Sequence, residues 1–263
     1  MNCNKRQGRL FSHFPEVIKL QRTFYYAILV RAKESAMQDH QIIYPITTVD
    51  IVVMTIEKEQ LCVLLHRRAQ EPCQGTWSLP GGWVRTNEDV SVEAAAHRVL
   101  RDKVGMPAYH LEQLAVFSSA KRDPRGWSLS VAHIALVPRE QLVELNPEID
   151  RLVPVGEAES IVTAFDHGQI IKAAAQRLRG KGVYSTLPAS LLSEGFSLPR
   201  LREVYEIVTG SKIDMSSFRR KVLDLGFVEE TGEKEILPGA RKPSVLYRLS
   251  DKGRTFNRLL SSE

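Results

Sequence analysis

The run Trp77-Ser78-Leu79-Pro80-Gly81-Gly82-Trp83-Val84 passes through Glu88 into a helix predicted over 90–103, which closes at Val104-Gly105-Met106. It organises the first half of this 263-residue chain. On either side the pattern is strand-rich. Residues 49–56, 61–66, 114–117 and 131–137 are β-branched or apolar runs bounded by turn residues, and the predicted helix is the one long interruption. Strands gathered around few helices predict an α+β sandwich rather than an alternating parallel sheet.

Further out, Asp166 reads as the cap of a helix that carries Ile170, Ile171, Ala174 and Leu178 and is stopped by Gly180. Residues 181–198, with Pro188, Gly195 and several serines, read as a boundary region. The expected organisation is an N-terminal extension over 1–40, a first domain over 41–165, a linker helix over 166–180 and a second domain over 181–263. The extension has two readings. Residues 16–36, with the crowded patch Phe24, Tyr25, Tyr26, Ile28 and Leu29, could form a helix packed on a partner, or Met37 could be the natural start.

Hydrophobic content of 43% and charged content of 25% are those of a globular chain and exclude the disordered class. The longest apolar stretch near the start, residues 24–30, is far shorter than the roughly 18 residues that span a bilayer, so no anchor or signal peptide is predicted. Cys3, Cys62 and Cys73 have neither the number nor the spacing of a disulfide framework or zinc cluster, which fits a reducing cytoplasm. The net charge of +5 is unevenly placed. From Asp166 onward there are 17 Lys plus Arg against 12 Asp plus Glu, and upstream the two balance. A basic C-terminal part favours an acidic partner such as nucleic acid.

That C-terminal part has helix-turn-helix spacing: a short amphipathic helix over 201–208, a turn at Thr209-Gly210-Ser211, and a second helix from the Asp214 cap to the Gly226 stop. Met215, Phe218, Val222 and Leu225 form its packed stripe. At about 100° per residue, Arg220 points away from the stripe, Ser216 and Ser217 lie at the N-terminal end, and Arg219 and Lys221 flank. Serine hydroxyls, free amides and arginines at a helix N-terminus suit phosphate contact and bidentate reach to guanine edges. Residues 227–230 and 244–249 read as a hairpin with Arg241 and Lys242 at its tip, which is a winged-helix arrangement. Ser216, Ser217, Arg219, Arg220, Lys221, Arg241 and Lys242 are therefore the candidate DNA-binding residues. The acids Glu229, Glu230, Glu233 and Glu235 in the wing oppose phosphate.

The Gly-Gly run and its helix resemble the Nudix hydrolase box, which reads glycine, five residues, glutamate, seven residues, then Arg-Glu-apolar-any-Glu-Glu-any-Gly-apolar. Gly82 and Glu88 match its opening. Arg98, Leu100, Gly105 and Met106 match its close once two extra residues are allowed before Arg98. The resemblance implies that the sandwich is a Nudix α/β/α sandwich whose catalysis needs several carboxylates on one helix face to hold Mg²⁺ on a diphosphate. Here those carboxylates are mostly replaced: Val99 and Lys103 stand where glutamates belong, and Asp102 is a shortened one. Lys103 beside a divalent ion would add a few kcal/mol of repulsion at an intermediate dielectric. The implied outcome is a nucleotide pocket without catalyst or metal.

The resemblance implies a cleft formed in or beside the segments that carry Arg67, Arg68, Gly81, Gly82, Arg85, Lys121 and Arg122, with Arg125 beside them; these are the candidate pocket residues, and arginine forks fit phosphate oxygens. Trp77, Trp83 and Trp127 are either core or a stacking platform for adenine. The alternative is an active ADP-ribose pyrophosphatase-like hydrolase using Glu88, Glu93 and Asp102. A third reading is a structural adaptor.

A degraded Nudix domain joined to a winged helix resembles the Nudix-related transcriptional regulators of NAD metabolism, the NrtR family, from about Thr47 onward. The likeness is carried by 79–84, by Lys121-Arg122-Asp123-Pro124-Arg125 and by Phe218-Arg219-Arg220-Lys221-Val222. It implies a homodimeric repressor of NAD-metabolism genes on palindromic double-stranded operator DNA. ADP-ribose or a related nucleotide would be its effector, with no cofactor required and no membrane partner.

Overall fold

The structure, a computed structural model, describes residues 44–105, 110–142, 145–158, 160–236, 242–250 and 254–256. The extension with its candidate start Met37, and Arg241 at the expected wing tip, lie outside the described residues. Everything below concerns the unit Pro45–Glu263.

Strand β1 (Ile46–Glu57) is the spine. It pairs antiparallel with β2 (Gln60–Arg67) and parallel with β6 (Ser128–Leu136). With β3 (Trp77–Ser78) and β5 (His110–Ser119) the order is β3-β2-β1-β6-β5, while β4 (Gly81–Trp83) pairs with β1 and β7 (Asp150–Pro154) with β2. The period-2 alternation of β1 sends its side chains to two cores. Val49, Ile51 and Val53 pack with Ala95, Ala96, Val99, Leu100 and Val104 of helix α1 (Val92–Val104). Val52, Met54 and Ile56 meet the opposite face, against the helix that follows β7 and the four-residue α2 (Val155–Ala158). The result is the α/β/α sandwich that the resemblance implies. Helix α1 starts where Ser91 Oγ accepts the Ala94 amide at 3.0 Å and stops at Gly105, whose φ of 78° is left-handed.

That opposing helix, α3 (His167–Gly182), runs past the expected stop at Gly180. Its Ile170, Ile171, Ala174 and Leu178 belong to one cluster with the sheet and with Val204 and Val208 of α4 (Leu198–Thr209). The segment predicted to link two domains is thus buried among both. Asp166 does hold the cap position, but its carboxylate makes no capping bond.

The winged helix follows. Helices α4 and α5 (Met215–Leu225) stand beside a sheet of order β8-β10-β9, made of β8 (Phe196–Ser197), β9 (Val228–Glu235) and β10 (Ser244–Leu249). Its core holds Leu201, Tyr205, Phe218, Val222, Phe227 and Tyr247, with the Tyr205 and Phe218 rings edge to face at 5.5 Å. No helix among the described residues is long and apolar enough to cross a membrane.

Glu112 on β5 pins the far end of α3: it accepts from Lys181 Nζ at 2.6 Å and stands 3.6 Å from the Arg177 guanidinium. Burial alone would raise the Glu112 carboxyl, but bonds from His110 and Lys181 outweigh it and bring it from the ordinary 4.5 to about 2. A carboxyl depressed by folding contributes stability above its unfolded value, and that stability is lost as pH falls through its folded value. Solvent screening leaves about 1 kcal/mol of it. Glu112→Gln should lower the urea midpoint at neutral pH and flatten the acid-side decline of the wild type below the ordinary carboxyl value. An unchanged profile would contradict the role given to Glu112.

Candidate functional site

At the end of β1 the sheet opens into a cleft of about 850 Å³, walled by the 66–71 segment, β4, the outer face of α1 and the start of α3. Such a volume accommodates a nucleotide-sized ligand. Its floor is a buried charge cluster. Asp50 is 6% exposed and lies opposite Gly81 in the β1–β4 register. The Arg122 guanidinium binds Asp166 with both prongs, at 2.8 and 3.0 Å, and lies 3.6 Å from Asp50. Burial by itself would raise the Asp50 carboxyl, yet its interaction with His167, then the Ser130 hydrogen bond and the charge of Arg122, hold it below the usual range. His167 Nδ1 accepts the Leu79 amide at 2.9 Å, so the ring proton sits on Nε2, 3.5 Å from Asp50.

The walls carry further pairs. The Arg98 fork binds both oxygens of Asp89 at 2.8 Å and also donates to the Trp83 carbonyl; it brings the Asp89 carboxyl down to about 2. This clamp holds the 85–91 loop. Beside it Glu88 turns out to solvent and pairs with Arg85 at 2.8 Å. Arg125 is held by Asp123 and lies over the Trp83 ring at 5.3 Å, and Arg68 lies over Phe165 at 4.8 Å. His66 Nδ1 pairs with Asp150. Among the described residues, no carboxylate stands within ion-pair distance of Arg67, Arg68 or Lys103, all of which line the cleft.

The second surface is the outer face of α5. Asp214 accepts the Ser217 amide at 2.8 Å, and Glu206 fixes the preceding turn by accepting the Ile213 amide at 2.8 Å. Phe218 and Val222 are buried, while Ser216, Arg219 and Arg220 are exposed and Ser217 and Lys221 half-buried. Lys242 is exposed two residues before the returning strand. Glu229, Glu230, Glu233 and Glu235 are also exposed, and Glu229 and Glu230 are engaged by Arg248 and the Tyr247 hydroxyl at 3.3 Å.

Residues 45–174 match the NUDIX domain, and residues 188–249 match the NrtR DNA-binding winged helix domain. Over 216 residues, 81% of this chain and 85% of the relative, the chain is 37% identical to the ADPR responsive transcriptional repressor NtrR of Acinetobacter baylyi. The chain belongs to the NrtR family. The crystal structure of Shewanella oneidensis NrtR complexed with a 27mer DNA superposes with a TM-score of 0.75 at 35% identity, covering 82% of this chain and 99% of that one. The Nudix part alone is 33% identical over 136 residues, 49% of this chain and 73% of the relative, to an ADP-ribose pyrophosphatase of Methanocaldococcus jannaschii.

Of the pocket residues expected for an NrtR-type chain, Arg67, Arg68, Gly81, Gly82, Arg85 and Arg122 line the cleft. Lys121 does not: its side chain is exposed beyond the rim. Arg122 is on the floor with its fork already committed to Asp166, so it braces the cleft rather than offering a free donor pair. Trp77 packs on the core, Trp127 stays outside the cleft, and Trp83 stands on the wall, 59% exposed. Sequence reasoning missed Asp50, His66, Asp150, Phe165 and His167. Only Asp50 carried a local signal, as a lone carboxylate inside the apolar run 49–56.

Gly81 is required by contact. A Cβ there would meet Asp50 Oδ1 at 2.1 Å and the Val49 carbonyl at 2.9 Å, whereas at Gly82 it would meet only Val99 at 3.3 Å. Gly81→Ala should destabilise by about 1–3 kcal/mol through overpacking, visible as a lower melting temperature, and Gly82→Ala by distinctly less. Equal melting temperatures for the two would contradict the packing described.

Proposed function

We propose that this chain is a cytoplasmic, ADP-ribose-responsive transcriptional repressor of NAD-metabolism genes. It binds a palindromic operator as a homodimer, and its Nudix hydrolase chemistry is lost. The observation that carries this is a core that runs from under a cleft, with three cations lacking a carboxylate partner among the described residues, to α4, on which the helix with the exposed Ser216, Arg219 and Arg220 face packs through Tyr205 and Phe218. The Acinetobacter relative, named as ADPR responsive, and the DNA-bound Shewanella structure support the two halves of the reading.

In this reading Arg67, Arg68 and Arg85 face the diphosphate, and Gly81 and Gly82 let it approach the backbone. Arg219 and Arg220 enter the major groove with the serines at the helix start, while Lys221, Arg241 and Lys242 meet the backbone. Two such helices, about 34–36 Å apart or a multiple of it, require a palindrome. No resident cofactor is needed.

The effector must favour one relative placement of the winged helices, since equal affinity for both would shift nothing. Helix α3 carries that preference. Its first turn is tied to the cleft floor through His167 and Asp166. Its last residue, Gly182, packs so closely on α4 that a Cβ would meet Val208 at 3.0 Å.

Fluorescence anisotropy on the upstream DNA of the chain's own gene, at stated salt, tests the reading: ADP-ribose should lower the affinity. Arg220→Ala should cost roughly 1–3 kcal/mol and relax one operator position, whereas Lys242→Ala should weaken all sequences alike and flatten the salt slope. No DNA binding, together with magnesium-dependent release of AMP from ADP-ribose, would replace this function with the hydrolase.

A further inference from the structure

The Nudix fold implies a divalent ion between the α1 face and a diphosphate, and the donor set here does not fit one. Residues four apart share a helix face, so Val99 with Lys103 and Arg98 with Asp102 make the two rows that line the cleft. Val99, 2% exposed, is packed beneath Gly82 and offers no oxygen. Asp102 has Arg98 at 4.0 Å, Asp89 is taken up by the Arg98 fork, and Glu88 is outside with Arg85. Among the described residues, no group of three or more His, Cys, Asp or Glu could hold a metal ion. Hard divalent cations of this kind need several oxygen ligands at once.

What the same face supplies is a cation. Lys103 lines the cleft across from Arg68 and within electrostatic reach of Asp50. We propose that the Lys103 ammonium takes over the charge-neutralising role of the divalent ion, so that the chain holds the diphosphate of its nucleotide without metal. Lys103 with Arg67 and Arg68 then neutralises the diphosphate by direct hydrogen bonds. Lysine serves as a compact point charge for phosphate, and a fixed ammonium cannot activate a water as a bound metal does. The lysine at the helix end thereby keeps the ligand, while the missing carboxylates leave no site for the hydrolysis. This rests on the ADP-ribose reading above.

Isothermal titration of the full chain with ADP-ribose, in EDTA and in excess MgCl₂, tests it. Wild type should bind with the same Kd in both. Lys103→Gln should raise Kd roughly ten- to a hundredfold in both conditions, the value of a hydrogen bond to a charged group. Lys103→Arg, which keeps the charge, should stay near wild type, and circular dichroism of all three confirms the fold. Tight binding by wild type only with magnesium, or a Lys103→Gln variant that binds as tightly as wild type, would overturn the proposal. A wild type that binds no ADP-ribose in either buffer would overturn the ligand reading itself.

Discussion

Four charged or titratable groups under the cleft must find partners in one another before anything else in this molecule is possible. Asp50 is buried on the spine strand, where an isolated carboxylate would be prohibitively costly. Arg122 and His167 compensate it, and Asp166 in turn takes up the fork of Arg122. The cluster draws together β1, the loop before β6 and the first turn of α3, so the cleft floor and the start of the long helix are one rigid object. Removing one member would leave another charge buried and unmatched, which is more damaging than losing an exposed pair.

From that anchor the rest follows by packing. Helix α3 lies with its apolar side on the sheet, and its far end is held by Glu112 and closed against α4 at Gly182. A displacement at the floor has a continuous apolar path to the helix-turn-helix. In the proposed function, the core shared between sheet and winged helix would couple a ligand to a DNA-binding surface, because close-packed interiors transmit shifts rather than absorb them. The glycine run has a parallel logic: Gly81 is small because Asp50 is opposite, and the close approach of β4 to β1 opens the cleft above.

The chemistry of the cleft turns on charge accounting. Most of its cations are already paired within the walls. Arg67, Arg68 and Lys103 line the cleft without a carboxylate partner among the described residues, and in the proposed function they meet the diphosphate. The carboxylates that a hydrolase would aim at a metal are turned outward or locked to arginines. Placement as well as identity therefore supports the proposed loss of hydrolysis: Glu88 survives in the sequence, yet it is half exposed and paired with Arg85.

Periodicity and local signals alone determined a good deal. The strand runs, the box helix between its serine and its glycine, and the helix-turn-helix with its buried stripe are all written in short-range patterns, since capping and amphipathicity act within a few residues. The box substitutions at Val99 and Lys103 were likewise legible. Only the tertiary structure decided which charges are available. Arg122 read as a ligand-binding cation until Asp166, 44 positions away, took its fork, and His167 gained its place by accepting an amide 88 positions away. It also turned an expected linker helix into core, because burial on two sides depends on what the sheet and α4 bring to it. Pairing between distant segments and burial on a second side are properties of distance in space, which the spacing along the chain does not encode.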